Sequence, residues 1–237
     1  MVIKSTSHRK VDWEAYAETR IGVDWLSDPP HYDRLLIIRK YLDGCASWLL
    51  DAGCGDYEPV FVSNFSNAVA LDLSFIALKS LKRHGFKGHL VRGSITHLPF
   101  KDNAFSRAVA SEVIEHLAEL LDVDLALKEV DRVSKSYLIT TPNCNRVWGK
   151  FYDPTHFQFF DKRSLSSRFT YKVRITTSNV PKIWFLFGLL TCKNRYIRWL
   201  EYRLIKRIRW LYEAYWRVCS RILGGCLLLV YGGKEPL

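Results

Sequence analysis

Short apolar runs alternate with helical patterns from residue 32 onward, and this alternation constrains the fold more than any other feature of the chain. Such an order is typical of βαβ units, in which helices connect parallel strands and cover the faces of the sheet. We therefore predict an α/β fold built on a doubly wound sheet. The first five predicted strands are 48–51, 68–72, 89–92, 106–111 and 136–140, and the predicted helices are 32–42, 75–84 and 120–133.

The pattern changes beyond residue 168. Two further runs, 171–176 and 225–231, predict a sixth and a seventh strand. In the insert between them, apolar side chains recur at steps of three and four, which predicts a long amphipathic helix. The predicted organisation has three parts: an N-terminal segment of residues 1–31, a domain of residues 32–176 and 225–237, and a basic helical insert of residues 177–224.

The positive charge is concentrated in the C-terminal part of the chain. The sequence has 35 Lys and Arg against 24 Asp and Glu, a net charge of +11. Residues 1–170 hold 22 basic and 21 acidic side chains, whereas residues 171–237 hold 13 and 3, a balance of +10. A cationic helix with interleaved aromatic side chains fits an anionic membrane surface, single-stranded RNA, or a lid packed on the domain. The aliphatic run 183–190 favours peripheral membrane contact through 183–223 over RNA.

The cysteines and the lengths of the apolar runs indicate a cytoplasmic chain. The six cysteines form no CxxC pair, so we expect reduced thiols. The longest apolar run, 183–190, is far short of the roughly 20 residues that a spanning helix needs. We expect a cytoplasmic location, with peripheral contact to the membrane.

A glycine-rich turn follows the first predicted strand. The sequence Asp51-Ala-Gly53-Cys-Gly55 allows a tight turn and a close approach of a ligand to the backbone. Asp72 ends the second predicted strand about 20 residues further on, where a carboxylate can accept hydrogen bonds from both hydroxyls of a ribose. Together these residues predict a nucleotide site at the carboxyl ends of the strands.

At these positions the chain resembles the class I S-adenosylmethionine-dependent methyltransferases, of the methyltransferase type 11-like kind. The resemblance spans roughly residues 45–165 and implies a Rossmann-like, seven-stranded, mostly parallel sheet with the seventh strand antiparallel. Its four motifs are LLDAGCG at 49–55, ALDLS at 70–74, GSITHLPFKDNAFS at 93–106 and SEVIEHL at 111–117. The cofactor-binding residues that it implies are Asp51, Gly53, Gly55, Asp72, Leu73, Ser94, Ile95 and Ser111.

One position departs from the family pattern. Family members usually carry an aspartate where Ser94 stands, and that carboxylate accepts a hydrogen bond from the adenine amino group. A serine hydroxyl can still accept this bond, with the Ile95 amide facing the ring. We expect S-adenosylmethionine as the cofactor, with a weaker contact to its adenine.

The segment after the fourth strand carries the candidate reacting groups. Glu112, Glu115 and His116 stand at i, i+3 and i+4, a spacing that places them on one face of a helical turn. With His156 they could chelate a divalent metal ion. This pattern is similar to metal-dependent O-methyltransferases, including small-RNA 2′-O-methyltransferases and ubiquinone-pathway enzymes. In the metal-free alternative, His116 and His156 are catalytic residues of the substrate pocket; in a third interpretation, Glu115 and His116 lie outside the site.

The resemblance also implies a function and the segments that cover the site. Segment 1–31 would cover the cofactor with a short helix over 11–20, with Trp25 and Tyr32 as lid candidates. The insert would stand over the same face. We expect a methyltransferase that acts on an oxygen, or less favourably a nitrogen, of a small or lipid-linked acceptor. The alternatives are a metal-assisted RNA 2′-O-methyltransferase and a non-catalytic cofactor-binding adaptor for membrane or RNA.

Overall fold

The computed structural model describes residues 11–20, 29–56, 65, 67–143, 153, 155–171, 173–178 and 227–234. Almost all of the predicted insert, and Trp25 with it, lies outside these residues. The helices are α1 (Trp13–Arg20), α2 (Pro29–Leu42), α3 (Phe75–Arg83), α4 (Leu120–Val133) and α5 (Lys162–Ser166), with a 3-10 turn over Ile114–His116. The strands are β1 (Leu49–Ala52), β2 (Ala68–Asp72), β3 (His89–Arg92), β4 (Phe105–Ser111), β5 (Ser134–Pro142), β6 (Arg174–Thr177) and β7 (Leu227–Gly233).

These strands form one seven-stranded sheet in the order β3-β2-β1-β4-β5-β7-β6. The neighbours from β3 to β5 pair in parallel, and β7 runs antiparallel to both β5 and β6. The predicted Rossmann-like fold is therefore confirmed. Most predicted elements appear within three residues of their expected bounds, and α5, which begins at a capping box formed by Asp161 and Ser164, was not predicted.

Helices cover both faces of the sheet, as the alternating pattern predicts. Successive residues of β1 join opposite cores, since Leu49 packs in the cluster that contains α2 and α3, and Leu50 in the cluster that contains α4 and α5. A strand covered on both sides is apolar at nearly every position, which is why the predicted strands read as continuous runs.

The topology decides where a ligand can bind. The chain moves from β1 to β2 on one side and enters β4 on the other, so the loops after β1 and β4 diverge and leave a crevice at the carboxyl edge. Both ends of the connection between β6 and β7 also lie at this edge. The Ser178 amide donates to the Leu227 carbonyl oxygen at 3.1 Å, and the Leu227 amide donates to Ser178 Oγ at 3.2 Å.

The described part of the chain contains no helix that is both long and apolar enough to cross a bilayer.

Candidate functional site

A cavity of about 300 Å³ lies in the crevice at the carboxyl edge of the sheet. Its volume falls in the range of small-molecule sites. Seven of the eight residues predicted to bind the cofactor line it, and these are Gly53, Gly55, Asp72, Leu73, Ser94, Ile95 and Ser111. The eighth, Asp51, is buried in β1 and is not among the lining residues.

The glycine turn is tied to the end of β2. Gly53 and Gly55 have φ of +79° and +61°, values that L side chains rarely adopt. The Gly53 and Cys54 amides donate to the Leu71 carbonyl oxygen at 2.7 and 3.0 Å, and the Gly55 amide donates to Asp72 Oδ2 at 2.8 Å. The turn is therefore shaped by backbone conformations that glycine alone adopts readily.

The Asp72 carboxylate is oriented by backbone donors on both of its oxygens. Oδ2 accepts from Gly55, and Oδ1 accepts from the Ser74 amide at 2.8 Å. Burial raises the pKa of Asp72, and these two hydrogen bonds oppose that rise. Because each carboxylate oxygen offers about two acceptor positions, both oxygens can still accept one bond from a ribose hydroxyl.

Asp51 is a second buried carboxyl group beside the first. Burial, together with the negative charge of Asp72, raises the pKa of Asp51 from its ordinary value of 3.8 to about 7. Two such groups in one place favour a cationic ligand, since a nearby positive charge would stabilise both carboxylates.

This pKa makes the stability of the free protein depend on pH. The native Asp51 keeps its proton up to about pH 7, whereas the unfolded residue loses it near its ordinary value, so the free energy of unfolding falls as pH rises from about 4 to 7. We expect the Asp51→Asn variant, which has no such proton to lose, to be about 1–2 kcal/mol more stable than the wild type at pH 8. Its free energy of unfolding should also decrease less than that of the wild type between pH 5 and pH 8. Urea unfolding at pH 5 and pH 8 measures this, with Asp43→Asn in an exposed turn as the control. Equal pH dependence in the two variants would contradict it.

Ser94 is engaged in its own turn. Its Oγ lies 2.8 Å from Thr96 Oγ1 and accepts from the Thr96 amide at 3.2 Å. A hydroxyl has two acceptor positions, so one remains for an adenine amino group when Ser94 donates to Thr96. The contact predicted for Ser94 therefore stays a prediction.

The predicted common face of Glu112, Glu115 and His116 is wrong. The 3-10 turn begins at Ile114, and Glu112 precedes it with φ of +56°, a left-handed conformation that breaks the helical spacing. Glu112 Oε2 lies 3.1 Å from Arg34 Nη1, and its Oε1 accepts from Thr140 at 2.9 Å. Glu112 lines the same cavity but is ion-paired to α2 rather than grouped with the other candidate ligands.

The remaining three candidates come together. One ligand atom each from Glu115, His116 and His156 lies within 4.8 Å of the others, and the two histidine rings are 4.7 Å apart. Glu115 Oε2 accepts from Thr141 Oγ1 at 3.0 Å, while Oε1 is buried without a hydrogen-bond partner among the residues that the structure describes. Burial, and then the charge of Glu112, raises the pKa of Glu115 well above its ordinary value.

Helix α1 lines the cavity and is hydrogen-bonded both to the start of α3 and to Asp153. Glu14 accepts from the Phe75 and Ile76 amides at the start of α3, each at 3.0 Å. Two residues along, the Tyr16 hydroxyl donates to Asp153 Oδ2 at 2.9 Å, and its ring lies 6.2 Å from that of His116. The predicted helix over 11–20 thus exists and lines the cavity; Trp25 and the side chain of Tyr32 lie outside the described residues.

Sequence reasoning missed several residues of the site around Glu112 and His116. His31 and Arg34 of α2 and Asp153 after β5 line the cavity, and Thr155 contacts His116. Burial alone would raise the pKa of Asp153, but hydrogen bonds from Thr155 and the nearby His156 and His116 outweigh it and lower the pKa. The one signal for Asp153 is its spacing from Thr155, which is typical of an aspartate that accepts from the backbone two residues on.

Comparison with known proteins agrees with this geometry. Residues 50–137 match the model of a methyltransferase domain family. The chain is 34% identical over 101 residues to an uncharacterised protein of Methanocaldococcus jannaschii, covering 43% of this chain and 42% of that protein. It is 35% identical over 92 residues to the malonyl-[acyl-carrier protein] O-methyltransferase of Hamiltonella defensa, covering 38% and 34%. Each match thus spans less than half of the curated relative.

A solved structure extends the likeness of the fold. The Haemonchus contortus phosphoethanolamine N-methyltransferase 2, in complex with phosphomonomethylethanolamine and S-adenosylhomocysteine, superposes with a TM-score of 0.62 at 15% identity, over 96% of this chain and 61% of that one. At this identity the likeness concerns the fold alone.

The sheet order and the cavity at its switch point define the class, a Rossmann-like domain with a nucleotide-type site. The domain match lies within that sheet and identifies residues 50–137 as similar to a methyltransferase domain. The residues present fit S-adenosylmethionine, since Asp72 retains acceptor positions for a ribose and the glycine turn offers its backbone.

Proposed function

We propose that the chain is a methyltransferase that uses S-adenosylmethionine to methylate an oxygen of a small or lipid-linked acceptor. The observation that carries this proposal is that one cavity holds both halves of such a site. The glycine turn and Asp72 line its cofactor side, and His116 and His156 line it as well. Cofactor and acceptor would therefore meet inside a single cavity.

Several residues that line the cavity have a task in this proposed reaction. When bound, S-adenosylmethionine would supply a methyl group on a positively charged sulfur, and this sulfur would be the leaving group when a nucleophile attacks the methyl carbon in line. The turn at Gly53 and the Asp72 carboxylate hold the cofactor, and the rings of Trp13 and Tyr16 bound the cavity near His116. A hydroxyl acceptor must lose its proton, and in this proposal the His116 imidazole, which lines the cavity, receives it. Alignment within the cavity supplies much of the remaining rate enhancement.

A metal-assisted reaction is the second candidate function. Glu115, His116 and His156 offer one carboxylate oxygen and two imidazole nitrogens, a donor set that suits zinc and similar divalent ions. The buried Glu115 Oε1, which has no hydrogen-bond partner among the described residues, is the observation that favours it. Such an ion would lower the pKa of a bound acceptor hydroxyl.

This candidate makes a prediction that separates the two glutamates. We expect Zn²⁺ titrated into the purified protein to bind, and Glu115→Gln to weaken that binding at least about tenfold because a ligand is lost. The matched control, Glu112→Gln, removes a carboxylate from the same cavity but not from the three-residue cluster, so we expect it to change the affinity less than about threefold. Calorimetry measures both, and absence of Zn²⁺ binding, or equal effects of the two changes, would contradict the metal site.

The surroundings of the cavity support one kind of acceptor over the others. Leu227 lines it and is hydrogen-bonded to Ser178, so the two described residues that flank the connection over 179–226 lie together beside the cavity. That connection carries most of the basic and aromatic side chains of the C-terminal part. This arrangement supports an acceptor that is delivered from an anionic lipid surface, with peripheral membrane contact through 183–223. RNA is the less favoured partner.

A labelling experiment tests the function and the acceptor together. We expect S-adenosylhomocysteine to bind the full chain in calorimetry, and methyl label from S-adenosylmethionine to enter the organic-soluble or small-molecule fraction of a cell extract. His116→Gln is the control that should lose transfer and retain cofactor binding. Label in RNA would favour the RNA 2′-O-methyltransferase, binding without any transfer would favour the non-catalytic adaptor, and absence of cofactor binding would contradict the proposal.

A further inference from the structure

Two oxygen atoms of Thr155 face one nitrogen of the His116 ring. Its Nδ1 lies 3.2 Å from the Thr155 carbonyl oxygen and 3.0 Å from Thr155 Oγ1. Thr155 in turn is held by Asp153, whose Oδ1 accepts from the Thr155 amide at 2.8 Å and from its hydroxyl at 2.6 Å. The three residues form a hydrogen-bonded chain from a carboxylate to an imidazole.

The direction of each bond in this chain follows from the chemistry of its atoms. A carbonyl oxygen can only accept, so the Thr155 carbonyl can bind Nδ1 only if that nitrogen carries a hydrogen. The Thr155 hydroxyl donates its one hydrogen to Asp153 at the shorter distance of 2.6 Å, so towards His116 it too presents a lone pair. Both contacts are satisfied together by a donor at Nδ1.

We infer that Asp153 and Thr155 position His116 by holding the proton of its neutral ring on Nδ1, so that Nε2 keeps its lone pair for the reaction. The inference rests on the proposed function for its purpose, since a general base and a metal ligand both need that lone pair. Asp153 and Thr155 are positioning residues, because they act through His116.

The alternative is that the Asp153–Thr155 turn only shapes the loop after β5. The inference and this alternative predict different tautomers of His116. If the loop only packs nearby, the ring can adopt the Nε2–H tautomer, which histidine favours in water. Tyr16 provides a control residue for this comparison. It donates to Asp153 Oδ2 at 2.9 Å, whereas Thr155 donates to Oδ1.

Long-range ¹H–¹⁵N correlation spectra of the full chain, labelled at histidine and recorded at pH 8, test the inference. The resonances of His116 are identified by their loss in His116→Gln. We expect the wild type to show a protonated Nδ1 and an unprotonated Nε2. In the double variant Asp153→Ala/Thr155→Val, we expect the protonated signal to move toward Nε2. Thr155→Ser, which keeps the hydroxyl, and Tyr16→Phe, which leaves Asp153 Oδ1 untouched, should resemble the wild type.

Three results would overturn the inference: a wild-type His116 protonated on Nε2, a double variant that retains the wild-type tautomer, or a Thr155→Ser variant that loses it. The wild-type spectrum decides the first point even where a variant fails to fold. Calorimetry with S-adenosylhomocysteine on the same samples keeps the proposed function separate, because a chain that binds no cofactor can still show the Nδ1–H tautomer.

Discussion

Asp72→Ala should weaken the binding of S-adenosylhomocysteine by at least about 100-fold. The Asp72 carboxylate lines the cavity and retains one acceptor position on each oxygen for the two ribose hydroxyls. Hydrogen bonds to a charged group contribute about 1.5–3 kcal/mol each, so losing both costs about 3 kcal/mol or more. The substitution also releases the Gly55 and Ser74 amides, which further loosens the glycine turn.

Calorimetry with S-adenosylhomocysteine measures this effect, and two further variants give it a scale. Asp43→Ala makes the same change of charge in an exposed turn before β1, at the opposite edge of the sheet, so we expect unchanged affinity. Asp72→Asn keeps one carbonyl oxygen and should fall between Asp72→Ala and the wild type. If Asp72→Ala and Asp43→Ala bound equally well, Asp72 would not be the ribose ligand.

Gly53→Ala should destabilise the protein by about 2–5 kcal/mol. Its φ of +79° costs an L side chain about 1–2 kcal/mol. A Cβ at this position would also lie 2.5 Å from Val113 Cγ2 and 3.0 Å from Cγ1, and such overpacking costs about 1–3 kcal/mol more. Because the clash is with the segment after β4, relief would shift one wall of the cavity against the other.

The chain offers a control that separates the two costs. Gly44 has a similar φ of +71°, and a Cβ added there would meet nothing within 4 Å, so Gly44→Ala should show the backbone cost alone, about 1–2 kcal/mol. Adding Val113→Ala to Gly53→Ala should recover the packing part. Urea unfolding of the wild type, the two single glycine variants, Val113→Ala and the double variant gives the coupling energy. Equal losses in Gly44→Ala and Gly53→Ala would show that Val113 does not crowd the turn.

The cofactor side of this site was predictable because it consists of local features. The turn at Gly53 and Gly55 directly follows β1, and Asp72 ends β2; both strands are recognisable in the sequence as apolar runs. Parallel strands bring their carboxyl ends to the same edge of the sheet, so these residues are expected to lie close together. The surroundings of Glu112 and His116 were not predictable in the same way. Glu112 does not share a helical face with Glu115 and His116, because its own backbone is left-handed. The i, i+3, i+4 spacing does not reveal this conformation.

The residues that contact Glu112 and His116 are distant from them along the chain. Arg34 meets Glu112 from α2, and Thr155 meets His116 across 39 residues. Glu14 and Tyr16 of α1 reach residues about 60 and 137 positions away, respectively. Nothing in the local sequence marks these pairs, since each depends on how α1, α2 and the loop after β5 pack around the cavity.

The sequence by itself determined the class of the fold, the edge of the sheet where a ligand binds and the residues of the nucleotide turn. Periodicity and turn chemistry are local, and the order of the elements limits the topologies that can bury them. Only the tertiary structure decided that Glu112 pairs with Arg34, that Glu115, His116 and His156 form one cluster, and that Thr155 faces the His116 ring. Those outcomes depend on backbone conformation and long-range packing. For that reason Glu112, a predicted metal ligand, is an ion-pair partner of Arg34 instead.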